Sequence, residues 1–528
     1  MEKLDRRTSA VRFISKYWGL LAIVALCIMG VILVLYFTRS SPGMSGDSVW
    51  FVMSADNILA GNGYSRMSGG GEIKPIVGFP PFFSIMLAGL GSLGFDLIDG
   101  SRWLNALMFG ASAFLTWRLI HQYTGSKWVS LAGGVLFLGS SSLIKYHSWV
   151  RSEGLYILLQ LTVFSLLIAY INSEKKILWV LAAVITGAGI LTKYIGFSLL
   201  FSGVLTILFF SEKDRKTKII NSLLYIFIAS LPVVVWFMRN SALRGSLTNR
   251  TFTYHPMRLD LLTLYQYEIG NWFLLHRLIA WGRRFLIAVF IAVIGPLYFL
   301  YTQIKERRLK QSIQCRKASA LPWLLIIYTL AFLMILIINS LFLDAGTTPS
   351  APERYLAPLY VSSLILIITT CYDILMHSHL RTVLRPILAA VLGSIIFLHI
   401  RTSIGLYGEN GVDLGYKSLM IENPIMVAGL RGLSQDRLLY SDNVEMVYIL
   451  TGRTAYFLPV KYSVYAQQSN PDFPDQIVQA SGVLQTGGRL IIFGDVDEEL
   501  ELRKVIDHLG VVILEAFPGA TVYGYPDT

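Results

Sequence analysis

Charge is what this chain has least of. Asp, Glu, Lys and Arg supply 15% of its 528 residues, against about a quarter in ordinary soluble domains. With 54% hydrophobic residues and a mean hydropathy of +0.56, that shortage excludes a soluble globular chain and points to the polytopic membrane class. Cysteine is nearly missing as well. Cys27, Cys315 and Cys371 stand far apart, so neither a disulfide framework nor a thiolate metal site is written here. No G-x-G-x-x-G follows the strand-like run ending at Gly494-Asp495, which removes the argument for a dinucleotide site. No short-period repeat is visible, which weakens a solenoid reading and gives no help to an inverted-repeat transporter.

What the chain does have is long apolar runs separated by short basic tracts. Its formal charge of +12 would suit nucleic acid, but the cations lie in tracts such as Ser211-Glu-Lys-Asp-Arg-Lys-Thr-Lys218 and Lys305-Glu-Arg-Arg-Leu-Lys310. That is the distribution of cytoplasmic loops, so no nucleic-acid partner is expected. Runs able to cross about 30 Å of hydrocarbon as helices fall near 18–38, 102–120, 128–146, 154–171, 177–191, 194–210, 219–237, 285–304, 321–342, 356–376 and 383–400. About eleven spans are expected. Arg6, Arg7, Arg12 and Lys16 precede the first of them without a small-residue cleavage site, so the reading is an uncleaved span with its N-terminus in the cytoplasm and its C-terminus outside.

The run 79–95 is ambiguous, because it opens on Pro80-Pro81, holds three glycines and is short. Were it to cross, the basic tracts at 211–218 and 305–317 would fall outside, so it is expected to be a re-entrant or interfacial helix at the outer face. From residue 401 the pattern changes. Strands are expected at 437–440, 489–493, 511–514 and 520–523, with helices at 444–451 and 498–509. The expectation is a small α/β domain over 401–528, outside the membrane, following a transmembrane domain over 1–400.

Polar residues of interest collect on the outer side under this parity. Asp47 follows the first span in Gly46-Asp-Ser-Val-Trp-Phe51, where Val49, Val52 and Met53 suit an amphipathic helix lying in the interface. Two readings of Asp47 stay open: an N-cap for that helix, or a general base for an acceptor hydroxyl. Glu153, in Val150-Arg-Ser-Glu-Gly154, falls on the same face. It would divide base and orienting roles with Asp47, hold a divalent cation with it, or simply pair with Arg151. Lys193, Arg239 and Arg354 occupy outer rims, where a Lys snorkels by default and a guanidinium binds phosphate oxygens in pairs. His147 and His255 have no metal-like neighbours, and the run from Tyr254 to Trp272 reads as an interfacial belt.

The order of these segments resembles the GT-C superfamily, the multi-spanning glycosyltransferases that use sugars carried on polyprenyl phosphate. The resemblance rests on Asp47, Phe79-Pro-Pro-Phe-Phe83, Arg102, Arg151-Ser-Glu153, Leu191-Thr-Lys-Tyr194, Trp236-Phe-Met-Arg-Asn240 and Glu353-Arg-Tyr-Leu356. It is similar to members related to protein O-mannosyltransferases and lipid A aminoarabinose transferases. The resemblance implies a hexosyl or pentosyl transferase in a prokaryotic plasma membrane, with Asp47 as base and Glu153 as the second acid. It further implies Lys193, Arg354 and Arg239 near the donor phosphate, and a glycan, lipid or protein acceptor. The paired first-loop acids of metal-dependent oligosaccharyltransferases are absent, since Ser48 and Val49 follow Asp47. No cofactor is assigned, and a divalent cation held by Asp47 and Glu153 is left open. The rival readings are a transporter or flippase of lipid-linked glycans and a membrane assembly scaffold. The first would place more charge at span centres, and the second leaves the outer-face charges unexplained.

Overall fold

Helices occupy most of the chain before residue 407. The computed structural model describes residues 2–248, 320–343, 352–377, 381–407, 415–463, 468–493 and 500–526, with a few positions between 252 and 272. The expected span at 285–304, His255, Cys315, the 305–310 tract and Gly494-Asp495 lie outside the described residues.

Helix α1 (Glu2–Phe37) leads into α2 (Gly46–Leu59), a short hairpin of β1 (Ser65–Met67) and β2 (Ile73–Pro75), and α3 (Phe82–Ser92). Then come α4 (Leu97–Thr124), α5 (Lys127–Gly139), α6 (Ser141–His147), α7 (Glu153–Ser173), α8 (Lys176–Thr192), α9 (Phe197–Phe210) and α10 (Arg215–Arg244). After the undescribed stretch follow α11 (Ala320–Phe342), α12 (Pro352–His377) and α13 (Arg381–Tyr407). Among the described residues, five helices are long and apolar enough to cross a membrane, or seven if each of two bent helix pairs counts as one span. Three shorter apolar helices, Lys176–Thr192, Tyr194–Phe210 and Ala389–Gly405, add to these. The chain is therefore an integral, multi-pass helical membrane protein.

The ambiguous run forms α3, which meets α4 at an angle of 113°. The bend is fixed locally: Asp96 Oδ1 accepts the free N–H groups of Ile98 and Asp99, each at 2.9 Å, and so starts α4 afresh. Arg102, one turn further, donates to Thr38 Oγ1 at 2.9 Å and to the Leu35 carbonyl at 3.0 Å. It thereby satisfies the C-terminal end of α1 and ties the two helices at the rim of the bundle.

Helix α2 departs from the expected interfacial helix. Val49, Phe51, Val52 and Met53 are all buried, and Phe51 meets Phe83 of α3 edge to face at 5.0 Å. Nearly consecutive apolar residues cannot share one stripe of a helix, so α2 is buried on several sides rather than floating on lipid.

The last helix of the bundle continues to Tyr407, past residue 400. Beyond it a small mixed sheet is built from β3 (Leu439–Ser441), β4 (Tyr456–Phe457), β5 (Arg489–Ile492), β6 (Val512–Phe517) and β7 (Ala520–Gly524), in the order β4-β3-β5-β7-β6. The first three strands are parallel and the last two pairings antiparallel. Helices α14 (Pro424–Gly432), α15 (Val444–Thr451), α16 (Phe473–Gln485) and α17 (Leu500–Leu509) complete it. Separate apolar clusters lie on the two faces of this sheet, one around Leu490, Ile492 and Ile477, the other around Leu439, Ile491 and Val447, as alternation along a covered strand requires.

Candidate active site

Three distant stretches of backbone meet at one point and set the site. Gly43 N–H donates to the Ser148 carbonyl at 2.9 Å, Val150 N–H to the Gly43 carbonyl at 3.0 Å, and Tyr416 N–H to the Met44 carbonyl at 3.0 Å. These single-residue parallel bridges join the start of the first loop, the turn before α7 and the entry to the C-terminal domain. A side chain is not tolerated at the crossing. A Cβ on Gly43 would lie 2.6 Å from the Trp149 ring, and one on Gly415, whose φ is +57°, would lie 2.0 Å from the Met44 carbonyl oxygen.

From that crossing α2 starts with Ser45 as its N-cap. The Ser45 N–H donates to Ser48 Oγ at 3.0 Å, and the Ser45 hydroxyl accepts from Arg151 Nε at 3.2 Å. Capping is thus done by the serines, and the Asp47 carboxylate is left for another task. It pairs with Arg354, Oδ2 to Nη2 at 2.5 Å. The same guanidinium donates through Nε to Glu153 Oε1, so Arg354 bridges the two carboxylates. Lys193 donates to the same Glu153 oxygen at 2.7 Å.

The burial of each group follows from its place on its helix. Glu153 opens α7 and is fully buried, a position that costs several kcal/mol unless cations compensate. Lys193 stands between α8 and a short turn at Tyr194–Gly196, with 17% of its side chain exposed. Burial lowers the Lys193 ammonium below the usual lysine value, and the adjacent Glu153 offsets part of that shift. Arg354 lies in the first turn of α12 with 18% of its side chain exposed, and Asp47 keeps 26%. The rim of the cluster therefore faces water while its floor is dry. Glu153 Oε2 has no hydrogen-bond partner among the described residues.

Arg151, read from sequence only as a possible mate for Glu153, adds a third cation. Its guanidinium lies over the Trp149 ring at 4.2 Å, close enough to Glu153, Arg354 and Asp47 for each to act on its charge. Three cations thus stand around two carboxylates, an excess that suits an anion such as phosphate.

The other expected residues fall elsewhere. Arg239 is not brought to the cluster. It donates to the Ile76 carbonyl at 2.6 Å, the Tyr64 carbonyl at 2.8 Å and Asn240 Oδ1 at 3.0 Å, so it pins the strand-like segment around the hairpin to α10. His147 is buried behind the site, with Nδ1 donating to the Leu143 carbonyl at 2.8 Å and its ring against Phe109. Among the described residues no group of three His, Cys, Asp or Glu side chains could hold a metal ion. The Arg354 guanidinium lies between Asp47 and Glu153 and contacts both carboxylates.

Residues 79–236 match the model of the dolichyl-phosphate-mannose-protein mannosyltransferase family. The whole chain is similar in fold to ArnT from Cupriavidus metallidurans bound to undecaprenyl phosphate, at 12% identity over 96% of this chain and 98% of that one, with a TM-score of 0.57. It is also similar to the archaeal oligosaccharyltransferase AglB from Archaeoglobus fulgidus in complex with an inhibitory peptide and a dolichol-phosphate. That match has 10% identity, covers 92% of this chain and 70% of the other, and has a TM-score of 0.55. No curated protein matches the chain in sequence.

Proposed function

We propose that the chain is a lipid-linked-sugar-dependent glycosyltransferase of the GT-C kind, a reading supported by its matching segment and its fold, and that it moves a sugar from a polyprenyl-phosphate donor to an acceptor hydroxyl at the outer face of the membrane. The observation that carries this reading is the Asp47–Arg354–Glu153–Lys193 cluster. It puts one water-facing carboxylate beside cations anchored to a buried one.

The division of labour follows from exposure. Asp47, at the open rim, accepts the proton of the acceptor hydroxyl as its oxygen attacks the anomeric carbon. The bond from that carbon to the donor phosphate oxygen breaks with its electron pair, and polyprenyl phosphate leaves with the charge. Lys193 and Arg354 bind the phosphate oxygens, and Arg151 adds to the positive field. Glu153 touches no reacting atom in this scheme. It holds Lys193 and Arg354 in place, a fixed counter-charge without which two buried cations would repel each other. One displacement inverts the anomeric configuration.

The sidedness expected from charge also belongs to this reading. Lys175 and Lys176 start α8 and Lys193 ends it, while 211–218 lies at the other end of α9. Cytoplasmic basic loops at the first ends leave the cluster at the outer ends, with about eleven crossings, the N-terminus inside and the C-terminal domain outside. The cell membrane of a prokaryote is the setting this topology suits.

The test is glycan mass spectrometry on the envelope of a deletion strain complemented with wild-type chain or with Asp47→Asn. Wild type restores a missing glycan and the variant does not. Equal restoration by both would remove Asp47 as base, and a profile unaltered by the deletion would overturn the transfer reaction.

A further inference from the structure

Next to the ion cluster, and sharing none of its side chains, a small open cleft lies between α2, the β1–β2 hairpin and the C-terminal domain. Trp50, Met53, Arg66, Glu445, Tyr448 and Phe457 line it. The Trp50 and Phe457 rings are within 7° of parallel with centroids 6.4 Å apart, and the Arg66 guanidinium lies over both, 4.3 Å and 5.5 Å from their centroids. Trp50 Nε1 donates to Glu445 Oε1 at 2.7 Å. The cleft adjoins the reacting groups. Trp50 is one turn of α2 beyond Asp47, and the Glu445 carboxyl carbon is 3.8 Å from where a Cβ on Gly46 would sit.

We propose that this cleft is the acceptor subsite and that it takes a neutral saccharide, one of whose hydroxyls it presents to Asp47; the inference rests on the transfer reaction proposed above. Aromatic rings pack against the C–H faces of a sugar ring, and the carboxylate at the indole edge and the guanidinium that lies over one side of the rings can pair with its hydroxyls. The charge distribution assigns the two ligands to two places. The cations that suit a phosphate surround Glu153, whereas here the one carboxyl, Glu445, disfavours an anionic acceptor and Arg66 offsets it. Burial raises the Glu445 carboxyl above the usual carboxylate range, while the Trp50 indole N–H and the Arg66 charge offset part of that rise. Half of the lining, Glu445, Tyr448 and Phe457, comes from the C-terminal domain. That domain therefore helps choose the acceptor, which would otherwise be surprising for a segment remote in sequence from Asp47.

The experiment uses the full chain in lipid nanodiscs. Methyl glycosides of mannose, glucose and arabinose are titrated with saturation-transfer NMR as readout, with the methyl glycoside of glucuronic acid as anionic comparison, and undecaprenyl phosphate binding is measured separately. Saturable binding of at least one neutral glycoside is expected, weakened about tenfold by Phe457→Ala and by Glu445→Gln and unchanged by Val478→Ser, at an exposed position of α16 that does not line the cleft. Phe457 is 45% exposed, so its truncation leaves the fold intact, and circular dichroism with a melting curve checks this for each variant. No saturable neutral binding, binding indifferent to both cleft variants, tighter binding of the glucuronide, or equal loss through Val478→Ser each overturns the assignment. Failure to bind undecaprenyl phosphate overturns the transfer reading itself, and with it the acceptor role. Undecaprenyl phosphate binding without glycoside binding sinks the cleft alone.

Discussion

Arg354 and Arg239 look alike in the sequence. Each stands near one end of an apolar helix within two residues of an aromatic side chain, and each suits a phosphate. Folding gives them opposite surroundings. Arg354 meets two carboxylates, while Arg239 meets two backbone carbonyls and an amide and lies 4.8 Å over the Trp236 ring. A guanidinium held by carboxylates can trade one of them for a phosphate of the same charge and shape. A guanidinium that satisfies fixed carbonyls cannot leave them without stranding buried acceptors. Position along a span therefore says where a cation is, and only its counter-groups say what it is free to bind.

The largest expected effect breaks the carboxylate side of this comparison. Glu153→Gln leaves Lys193 and Arg354 facing each other with no buried counter-charge. Breaking a buried ion pair costs about 3–5 kcal/mol, so unfolding in detergent should shift by that order and glycan transfer should be lost. Wild-type stability of the variant would show that Glu153 is not the electrostatic floor of the site. Asp47→Asn ranks next. It removes a base worth about 10²–10⁴ in rate but touches only the rim, so turnover should collapse while undecaprenyl phosphate still binds and the melting curve barely moves. Equal losses of binding and turnover would make Asp47 a structural partner of Arg354 instead.

A smaller effect tests the cations themselves. Burial lowers the Lys193 ammonium, so its proton is lost below the pH at which an ordinary lysine, near 10.4, would lose it. Donor affinity should accordingly fall as pH rises through that lowered value and be intact below it. Lys193→Arg keeps its charge across the range, and in that variant the alkaline fall should disappear even if affinity at neutral pH drops. An unchanged alkaline limb would assign it to another group.

Much of this was legible in the chain, and what was not has a physical reason. Charge parity put Asp47, Glu153, Lys193 and Arg354 on one face, because loop charges constrain every crossing at once. The C-terminal elements were readable to within a residue or two at Val444–Thr451 and Ala520–Gly524, because turn residues bracket them. Helix α16 carries a readable stripe too, Ile477, Ala480 and Leu484 after Pro474, all three of which are buried; the reading from sequence omits it. The bridging role of Arg354 was beyond reach, since it depends on groups about 200 and 300 positions away in the chain. So were the bridges at Gly43, Trp149 and Gly415, as a one-residue strand has no period to detect. Glu445 was missed for a plainer reason. It looks like an ordinary first-turn acid of a surface helix until Trp50 is placed against it.

The smallest expected effect on chemistry comes from Arg239, and it is the sharpest check on the comparison. Arg239→Ala takes the charged donor from the Ile76 carbonyl and from the Tyr64 carbonyl, which keeps the Ile76 N–H at 3.2 Å, and this should destabilise the protein by about 1.5–3 kcal/mol, the range for hydrogen bonds from a charged donor. Because the lost contacts hold the hairpin segment and not the donor, kcat/KM for the lipid-linked sugar should stay near wild type at temperatures where the variant is folded. Arg354→Lys should do the reverse. It keeps the charge and much of the stability but loses the fork that spans Asp47 and Glu153, so donor KM should rise while melting changes little. Two rim arginines would then be separated by experiment along the line drawn by their partners. If Arg239→Ala instead weakened undecaprenyl phosphate binding as strongly as Arg354→Lys, the hairpin segment would have to be redrawn as part of the donor site.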